Sequence, residues 1–226
     1  MGMIMAVSEK TEGDGMFCRF ACAILTILII LFPERSIASP SGLIIIPTAE
    51  VLEPASYAVT AELDGNIAFS RTDKFVLATQ TGIVPRLEGG VDFDLSRGST
   101  TLLIFNAKYL LTPESDRNPA LAAGFDSFGP NLNSGAYLVG SRTFHVTHAH
   151  LGILAREGGL FPFFGYDQEL SSRLVLMADY TGGAENFLSV GGAFELSQDF
   201  STIAGIMIPN AGGGGTEFTL HLIFSR

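Results

Sequence analysis

Three histidines fall close together in the chain, and their spacing is the best in this sequence for a metal site. His148 and His150 are two residues apart, so on a β-strand both side chains lie on one face. With a carboxylate from a neighbouring strand, that pair could bind a transition metal. His145 has the opposite parity or lies in a turn, so the three do not converge by spacing alone. We therefore expect polar lumen or interfacial histidines here, and no metal centre.

Carboxylates in two strand-like segments could form an acid and base pair. They are Glu62, Asp64, Asp92 and Asp94. Two such groups on one face of a strand lie about 7 Å apart, and paired carboxylates are the chemistry of glycosidases. We expect them instead to be charges inside a barrel, paired with basic side chains such as Lys108, Arg142 or Arg173. The predicted lumen charges are Glu62, Asp92, Asp94 and Lys108.

A hydrolase site could be assembled on paper from Ser189, His148 and Glu195. No G-x-S-x-G motif supports it, and serine is common on the small inner face of a strand. The sequence therefore predicts no catalysis, no cofactor and no bound metal.

Charge excludes one class of partner. The chain has a formal net charge of −10 with 13 basic residues, and no basic patch that could hold phosphates. We expect no nucleic-acid partner.

The first 38 residues have the pattern of an export signal. An uncharged apolar run, Phe20 to Phe32, follows Arg19 and precedes the small residues of Ser36 to Ala38. We expect residues 1–38 to be a cleaved signal peptide, with Met16 as an alternative start, and residues 39–226 to be one barrel domain. Both cysteines, Cys18 and Cys22, lie within that signal, so the exported chain is expected to have no disulfide.

The rest of the chain alternates apolar and small or polar residues with a period of two. The alternation is clearest in Leu188–Leu196, Phe200–Ile208 and Phe218–Phe224, which turn residues separate. It predicts an all-β fold, an antiparallel up-and-down meander β-barrel of about 12 strands. The apolar run Leu43–Ile46 suits a short edge or closing strand, and Asp167–Ser172 suits a loop.

Alternation fits both a membrane barrel and a soluble sandwich. An export signal, a charged fraction of 16%, a hydrophobic fraction of 47% and strands whose inner face is small or polar favour the membrane. We therefore expect a barrel in the bacterial outer membrane, in contact with its lipid. A barrel of this size is narrow, so a channel and a lumen closed by side chains are both open alternatives.

Two segments resemble a known family. Gly42–Pro54 (GLIIIPTAEVLEP) is similar to the opening motif of the YjbH-like proteins, the exopolysaccharide-associated outer-membrane barrels, and Pro119–Gly129 with Tyr137–Phe144 resembles a mid-barrel phrase of the same family. The resemblance implies an outer-membrane barrel and a link to polysaccharide export components. It supplies no catalytic residue.

The leading hypothesis is thus an outer-membrane barrel with a structural, transport or envelope role. An outer-membrane enzyme acting on lipid or polysaccharide is one alternative, which a cluster of Ser, His and an acid at a rim would favour. A soluble periplasmic β-protein that binds an apolar ligand is the other.

Overall fold

Twelve antiparallel strands make up the fold in the computed structural model, which describes residues 41–67, 72–96, 103–129, 132–211 and 215–226. In those residues no helix is long and apolar enough to cross a membrane. The expected signal peptide, residues 1–38, lies outside the described residues. The strands are β1 (Tyr57–Asn66), β2 (Thr72–Val84), β3 (Leu87–Asp94), β4 (Leu103–Thr112), β5 (Ala120–Phe128), β6 (Gly135–Phe144), β7 (Thr147–Arg156), β8 (Gly159–Ser171), β9 (Leu174–Thr181), β10 (Phe187–Glu195), β11 (Phe200–Pro209) and β12 (Glu217–Ser225).

The sheet closes on itself. Each strand pairs with its neighbours in the sequence, and β1 pairs with β12 in a register that runs from Ala58 opposite Ser225 to Asn66 opposite Glu217. The backbones of Tyr57 and Arg226 complete the seam, since each N–H donates to the other residue's carbonyl, at 2.9 and 3.0 Å. The predicted antiparallel meander barrel of about 12 strands is confirmed, and closure removes the exposed strand edges that an open sheet presents.

The barrel has two distinguishable ends. We call the end where β1 begins and β12 ends the terminal end, and the opposite one the distal end. Three of the connections at the terminal end are two-residue turns, 85–86, 145–146 and 172–173. These ends give the positions of the groups described below.

The two faces of the barrel wall have opposite polarity. Every strand carries at least one large apolar side chain that is exposed on the outside, with Leu151 (69% exposed) as the extreme. The inner face buries charged and polar side chains, among them Glu88, Lys108, His150 and Asp179. The outer face of the wall is therefore apolar, unlike the surface of a soluble protein, and the inner face buries polar and charged side chains as well as apolar ones.

The predictions for two segments are wrong. Leu43–Ile46 is not a strand of the barrel, because these residues turn back on themselves inside it. Asp167–Ser172 is not a loop, since β8 continues to Ser171 and pairs with β9. Its polar residues are compatible with a strand because Asp167 points into the lumen, where two histidines donate hydrogen bonds to it.

Candidate functional site

The most unusual feature of the molecule is a stretch of chain that fills the middle of the barrel. Residues 41–56, here the lumen segment, precede β1, and their first part is a hairpin. Thr48 N–H donates to the carbonyl of Ser41 at 3.2 Å, and Leu43 N–H donates to that of Ile46 at 2.9 Å. The hairpin places Ile44 and Ile45 at its tip.

The apolar side chains of the hairpin are buried against the barrel wall. Leu43, Ile44 and Ile46 are each at most 6% exposed. They join a cluster with inward-facing residues of β5 to β12, namely Ala122, Val139, Leu154, Phe163, Val175, Met177, Ala193, Ile203 and Ile223. The hairpin and these side chains together form the only sizeable apolar core in the described residues.

Glycines in the wall make room for the hairpin. A Cβ atom on Gly165 would lie 2.5 Å from Cδ1 of Ile46 and 2.5 Å from Cδ1 of Leu43, far inside van der Waals contact. A Cβ on Gly205 would lie 3.3 Å from Cδ1 of Ile44. The wall is therefore shaped to this segment.

Asp179 on β9 holds the tip of the hairpin. Its Oδ2 accepts the amide N–H of Ile44 at 2.8 Å and that of Ile45 at 3.1 Å. Asp179 is 1% exposed. Hydrogen bonds to a carboxylate are stronger than those between neutral groups, so this is the strongest polar contact of the tip.

Glu88 on β3 and Lys108 on β4 hold the base of the hairpin. Lys108 Nζ donates to the carbonyls of Ser41 (2.7 Å) and Thr48 (3.3 Å). Glu88 accepts the Ser41 hydroxyl at 2.5 Å and the Leu52 amide at 2.9 Å. The two charges lie 4.0 Å apart, both almost fully buried. A pair buried this deeply is tolerable only because each charge is neutralised and hydrogen-bonded.

A hydrogen-bonded chain of Ser141, His150, Asp167 and His148 lies in the wall beside the lumen segment. Ser141 Oγ accepts the Ala49 amide at 2.8 Å, so its hydroxyl is free to donate to His150 Nδ1, 2.7 Å away. His150 Nε2 and His148 Nδ1 then donate to the two oxygens of Asp167, at 2.8 and 2.7 Å. In this pattern His150 Nδ1 is the acceptor and Nε2 carries a proton.

The order acid, histidine, serine matches that of a hydrolase. Here, however, Ser141 and His150 are 4% and 3% exposed, and the serine oxygen is engaged by the lumen segment. What this arrangement does in the structure is to bind a backbone amide of the lumen segment.

On the distal side of the hairpin tip the lumen widens into a cavity of about 350 Å³, here called the vestibule. Its wall carries an excess of acidic groups over basic ones. The acidic residues that line it are Glu62, Asp64, Glu88, Asp92 and Asp126, and the basic ones are Lys74, Lys108 and His221. A volume of this size lies at the lower end of the range for small-molecule sites.

Lys74 is the main counter-charge in the vestibule. Its ammonium forms ion pairs with Glu62 and with Asp64, the latter at 3.3 Å. Glu62, Asp64 and His221 each offer an atom within 4.8 Å of the others, a spacing that a metal ion could bridge. Lys74 already supplies a cation to both carboxylates, and Thr219 contacts His221 Nε2 at 2.9 Å, while Asp64 Oδ1 is buried without a hydrogen-bond partner.

The predicted lumen charges all lie on inward-facing positions of the wall. Glu62 pairs with Lys74, and Asp92 accepts a hydrogen bond from Asn106 at 2.5 Å. Asp94, near the distal end of β3, accepts the Ser96 amide at 2.9 Å. Lys108 binds the lumen segment as described above.

The other candidate groups from the sequence lie apart in the structure. His145 is exposed in the turn between β6 and β7, with a positive φ of 61°, away from His148 and His150. Ser189 and Glu195 lie on β10, which two strands separate from His148 on β7. The partners that sequence reasoning missed are Ser141 and Asp167. The available signal was that Ser141 and Asp167 lie on the strands next to β7, at positions that face the same side of the wall as His148 and His150.

Comparison with known proteins gives a fold and no family. No family model matches the chain, and no curated protein matches it. Among solved structures the chain is similar to a KdgM porin, with a TM-score of 0.54 and 11% sequence identity over 75% of this chain and 99% of the porin chain. At this identity the likeness shows a shared barrel fold.

Proposed function

We propose that this protein is an outer-membrane barrel of the porin type, in which a polar lumen serves the passage or binding of a polar solute. The observation that carries the proposal is the apolar outer face of a closed barrel that buries charged groups inside. Exposed apolar side chains lie on all twelve strands, while Glu88, Lys108 and Asp179 are buried inside. An apolar belt of this extent far exceeds the patches that soluble monomers expose, and lipid is the environment in which it is stable.

A more specific proposal is that the barrel takes part in polysaccharide export, as the YjbH-like resemblance implies. Gly42–Pro54, one of the segments that carry the resemblance, lies in the lumen segment, and its first residues, Gly42–Pro47, line the vestibule. The vestibule walls offer many hydrogen-bonding groups, which suits a hydroxyl-rich solute such as a saccharide. Binding of oligosaccharides to the purified barrel, measured by calorimetry, tests this step.

The soluble alternative needs a ligand or partner to cover the outer belt, and the enzyme alternative needs an accessible nucleophile. The Ser141, His150 and Asp167 chain is the one observation that favours an enzyme. A fluorophosphonate probe, which labels activated serines, tests the enzyme alternative, with a known serine hydrolase in the same mixture as a positive control. We expect no labelling, whereas labelling that the Ser141→Ala variant loses would establish the enzyme.

Fractionation tests the membrane proposal. We expect extraction only with detergent, and a shift in gel mobility on boiling, because a closed barrel resists unfolding in detergent until it is heated. Extraction by urea or carbonate without detergent, together with unchanged mobility, would refute it.

A further inference from the structure

The barrel does not depend on the lumen segment for its strand pairing. All twelve strands pair with two strand neighbours, and the ring closes between β1 and β12. Within the described residues the lumen segment contributes two isolated bridges. One is internal, between Gly42 and Pro47, and the other joins Pro54 to Gly82 at the terminal end. The segment is thus added to a wall that is already complete.

The wall binds the segment as a protein binds a peptide ligand. Side chains from four strands take up backbone groups of the segment: Glu88 on β3, Lys108 on β4, Ser141 on β6 and Asp179 on β9. Each of these side chains is at most 4% exposed. Without the segment, four polar groups would face a water-filled lumen, where water can replace every contact. These polar groups tolerate both states, whereas the apolar part of the seat becomes exposed when Leu43, Ile44 and Ile46 leave it.

At Gly165 the wall lies directly against the hairpin of the lumen segment. The three atoms nearest to a Cβ built there all belong to Leu43 and Ile46. No atom of the barrel is as close. A larger side chain at this position would therefore collide with the hairpin first.

The segment joins β1 through a residue under backbone strain. Ala55 has a φ of +67°, in the left-handed region that non-glycine residues rarely occupy. Its N–H donates to the carbonyl of Gly82 at 3.0 Å, and Gly82 N–H donates to that of Ser56 at 3.0 Å. The strain lies between the part that fills the lumen and the strand that belongs to the wall, which is where a hinge would be placed.

We propose that the lumen segment is a gate: it leaves its seat as a unit by pivoting near Ala55, and its departure opens a polar passage through the vestibule. The proposal rests on the proposed function as an outer-membrane barrel. The passage runs along β1 to β5 and β12, where polar residues line the vestibule. On the opposite side of the lumen, the wall residues of the apolar cluster around Phe163 keep their places.

A reversible crosslink tests the gate. Ala49 N lies 2.8 Å from Ser141 Oγ, so cysteines at these two positions are adjacent, and the predicted exported chain has no other cysteine. The double variant Ala49→Cys with Ser141→Cys is reconstituted in planar bilayers, and current is recorded before and after reduction with dithiothreitol. We expect no openings when it is oxidised. On reduction the open probability should rise about tenfold above that of the unsubstituted protein, the population change that loss of one hydrogen bond produces.

A second variant does not depend on cysteine chemistry. Gly165→Leu places a side chain in the seat of the hairpin, and Gly140→Leu, on the outer face of β6, is its matched control, since a Cβ there meets only Leu121 Cδ2 at 3.3 Å among nearby side chains. We expect Gly165→Leu to open the barrel and Gly140→Leu to behave like the unsubstituted protein.

The outcomes separate the two proposals. If the double cysteine variant shifts on boiling and carries the same current oxidised and reduced, and Gly165→Leu carries no more current than Gly140→Leu, the gate is refuted and the membrane barrel stands. If the unsubstituted protein is extracted without detergent and shows no heat shift, the membrane function fails, and the gate fails with it.

Discussion

The Asp179 carboxylate accepts the amide N–H of Ile44 at 2.8 Å, across 135 residues of sequence. The same oxygen accepts the Ile45 amide, so one buried side chain of the wall fixes the tip of the lumen segment. We expect Asp179→Asn to weaken this contact without altering the strands, because asparagine keeps the shape and removes the charge. Hydrogen bonds to a charged group contribute about 1.5–3 kcal/mol, so exchange of the Ile44 and Ile45 amides should accelerate by at least about tenfold.

Hydrogen exchange followed by NMR in detergent micelles measures this. Amides in the centres of β6 and β7 serve as internal references and should not change, and Asp116→Asn, in an exposed loop, is the control variant. Uniform acceleration across the barrel would mean that Asp179 supports the fold generally, and would contradict its assigned role.

Lys108 and Glu88 should show strong coupling in a double-mutant cycle. Lys108→Met leaves the Glu88 carboxylate buried without its counter-charge, 4.0 Å away in the native protein. Loss of one partner of a buried pair costs about 3–5 kcal/mol. Adding Glu88→Gln to Lys108→Met removes the isolated charge, so the double variant should be more stable than Lys108→Met alone. Urea unfolding of the barrel from lipid vesicles gives the free energies, and simple additivity would refute the coupling.

The loop between β4 and β5 should be held by Glu114. Its carboxylate accepts the amide and the hydroxyl of Thr143, at 2.9 and 2.8 Å. Partial burial acts to raise the pKa of Glu114, but the Thr143 hydrogen bonds, with help from the Arg142 guanidinium, outweigh it and hold the pKa below the ordinary value of 4.5. A lowered pKa means that the charged form is stabilised by folding, so this contribution is present above pH 4.5 and is lost as the pH falls through the lower, folded-state pKa.

Two measurements check the Glu114 contact. The amide chemical shift of Thr143 should titrate with a midpoint below 4.5, and a midpoint at or above 4.5 would contradict the assignment. Glu114→Gln should make Arg117, exposed in the same loop, more susceptible to trypsin at pH 8. Glu157→Gln, at an exposed position in the turn after β7, is the control.

The vestibule should favour cations once the gate is open. Its lining holds five carboxylates against two lysine ammonium groups, and a lining of one sign concentrates the opposite ion. In the reduced Ala49→Cys, Ser141→Cys variant, the reversal potential in a KCl gradient should move toward that of K⁺. Asp92→Asn should diminish the preference, and Glu185→Gln, exposed in a distal loop, should leave it unchanged. A preference for Cl⁻ would contradict this reading of the lining.

The barrel could be predicted from sequence because a strand's period of two tells which side of the wall each residue faces. Lys108, for example, has the parity of a lumen residue, and the structure buries it there. The lumen segment could not be predicted in this way. Leu43, Ile44 and Ile46 are all buried, so they show no alternation, and an apolar run between prolines is compatible with a strand or with a plug.

The partners of the lumen segment were beyond sequence reasoning for a different reason. The Asp179 contact depends on how the strands of a closed ring are placed around its interior, and parity says nothing of that placement. Nothing in the sequence distinguishes Gly165 from the other glycines, and only the structure shows that the hairpin packs against it. The sequence predicts a loop at Asp167 because the polar residues around it do not alternate with apolar ones, although β8 continues through them.

Tryptophan placed at one position at a time tests the central claim, that the outer wall faces lipid and the lumen segment lies inside. The natural sequence has no tryptophan, so each variant has a single fluorophore. Leu151→Trp reports on the outer face of β7, and Ile45→Trp on the tip of the hairpin, where the native side chain is 40% exposed to the vestibule. In vesicles of lipids with brominated acyl chains, we expect strong quenching of the tryptophan at 151 and none at 45. Equal quenching at both positions, or quenching at 45 alone, would contradict the account.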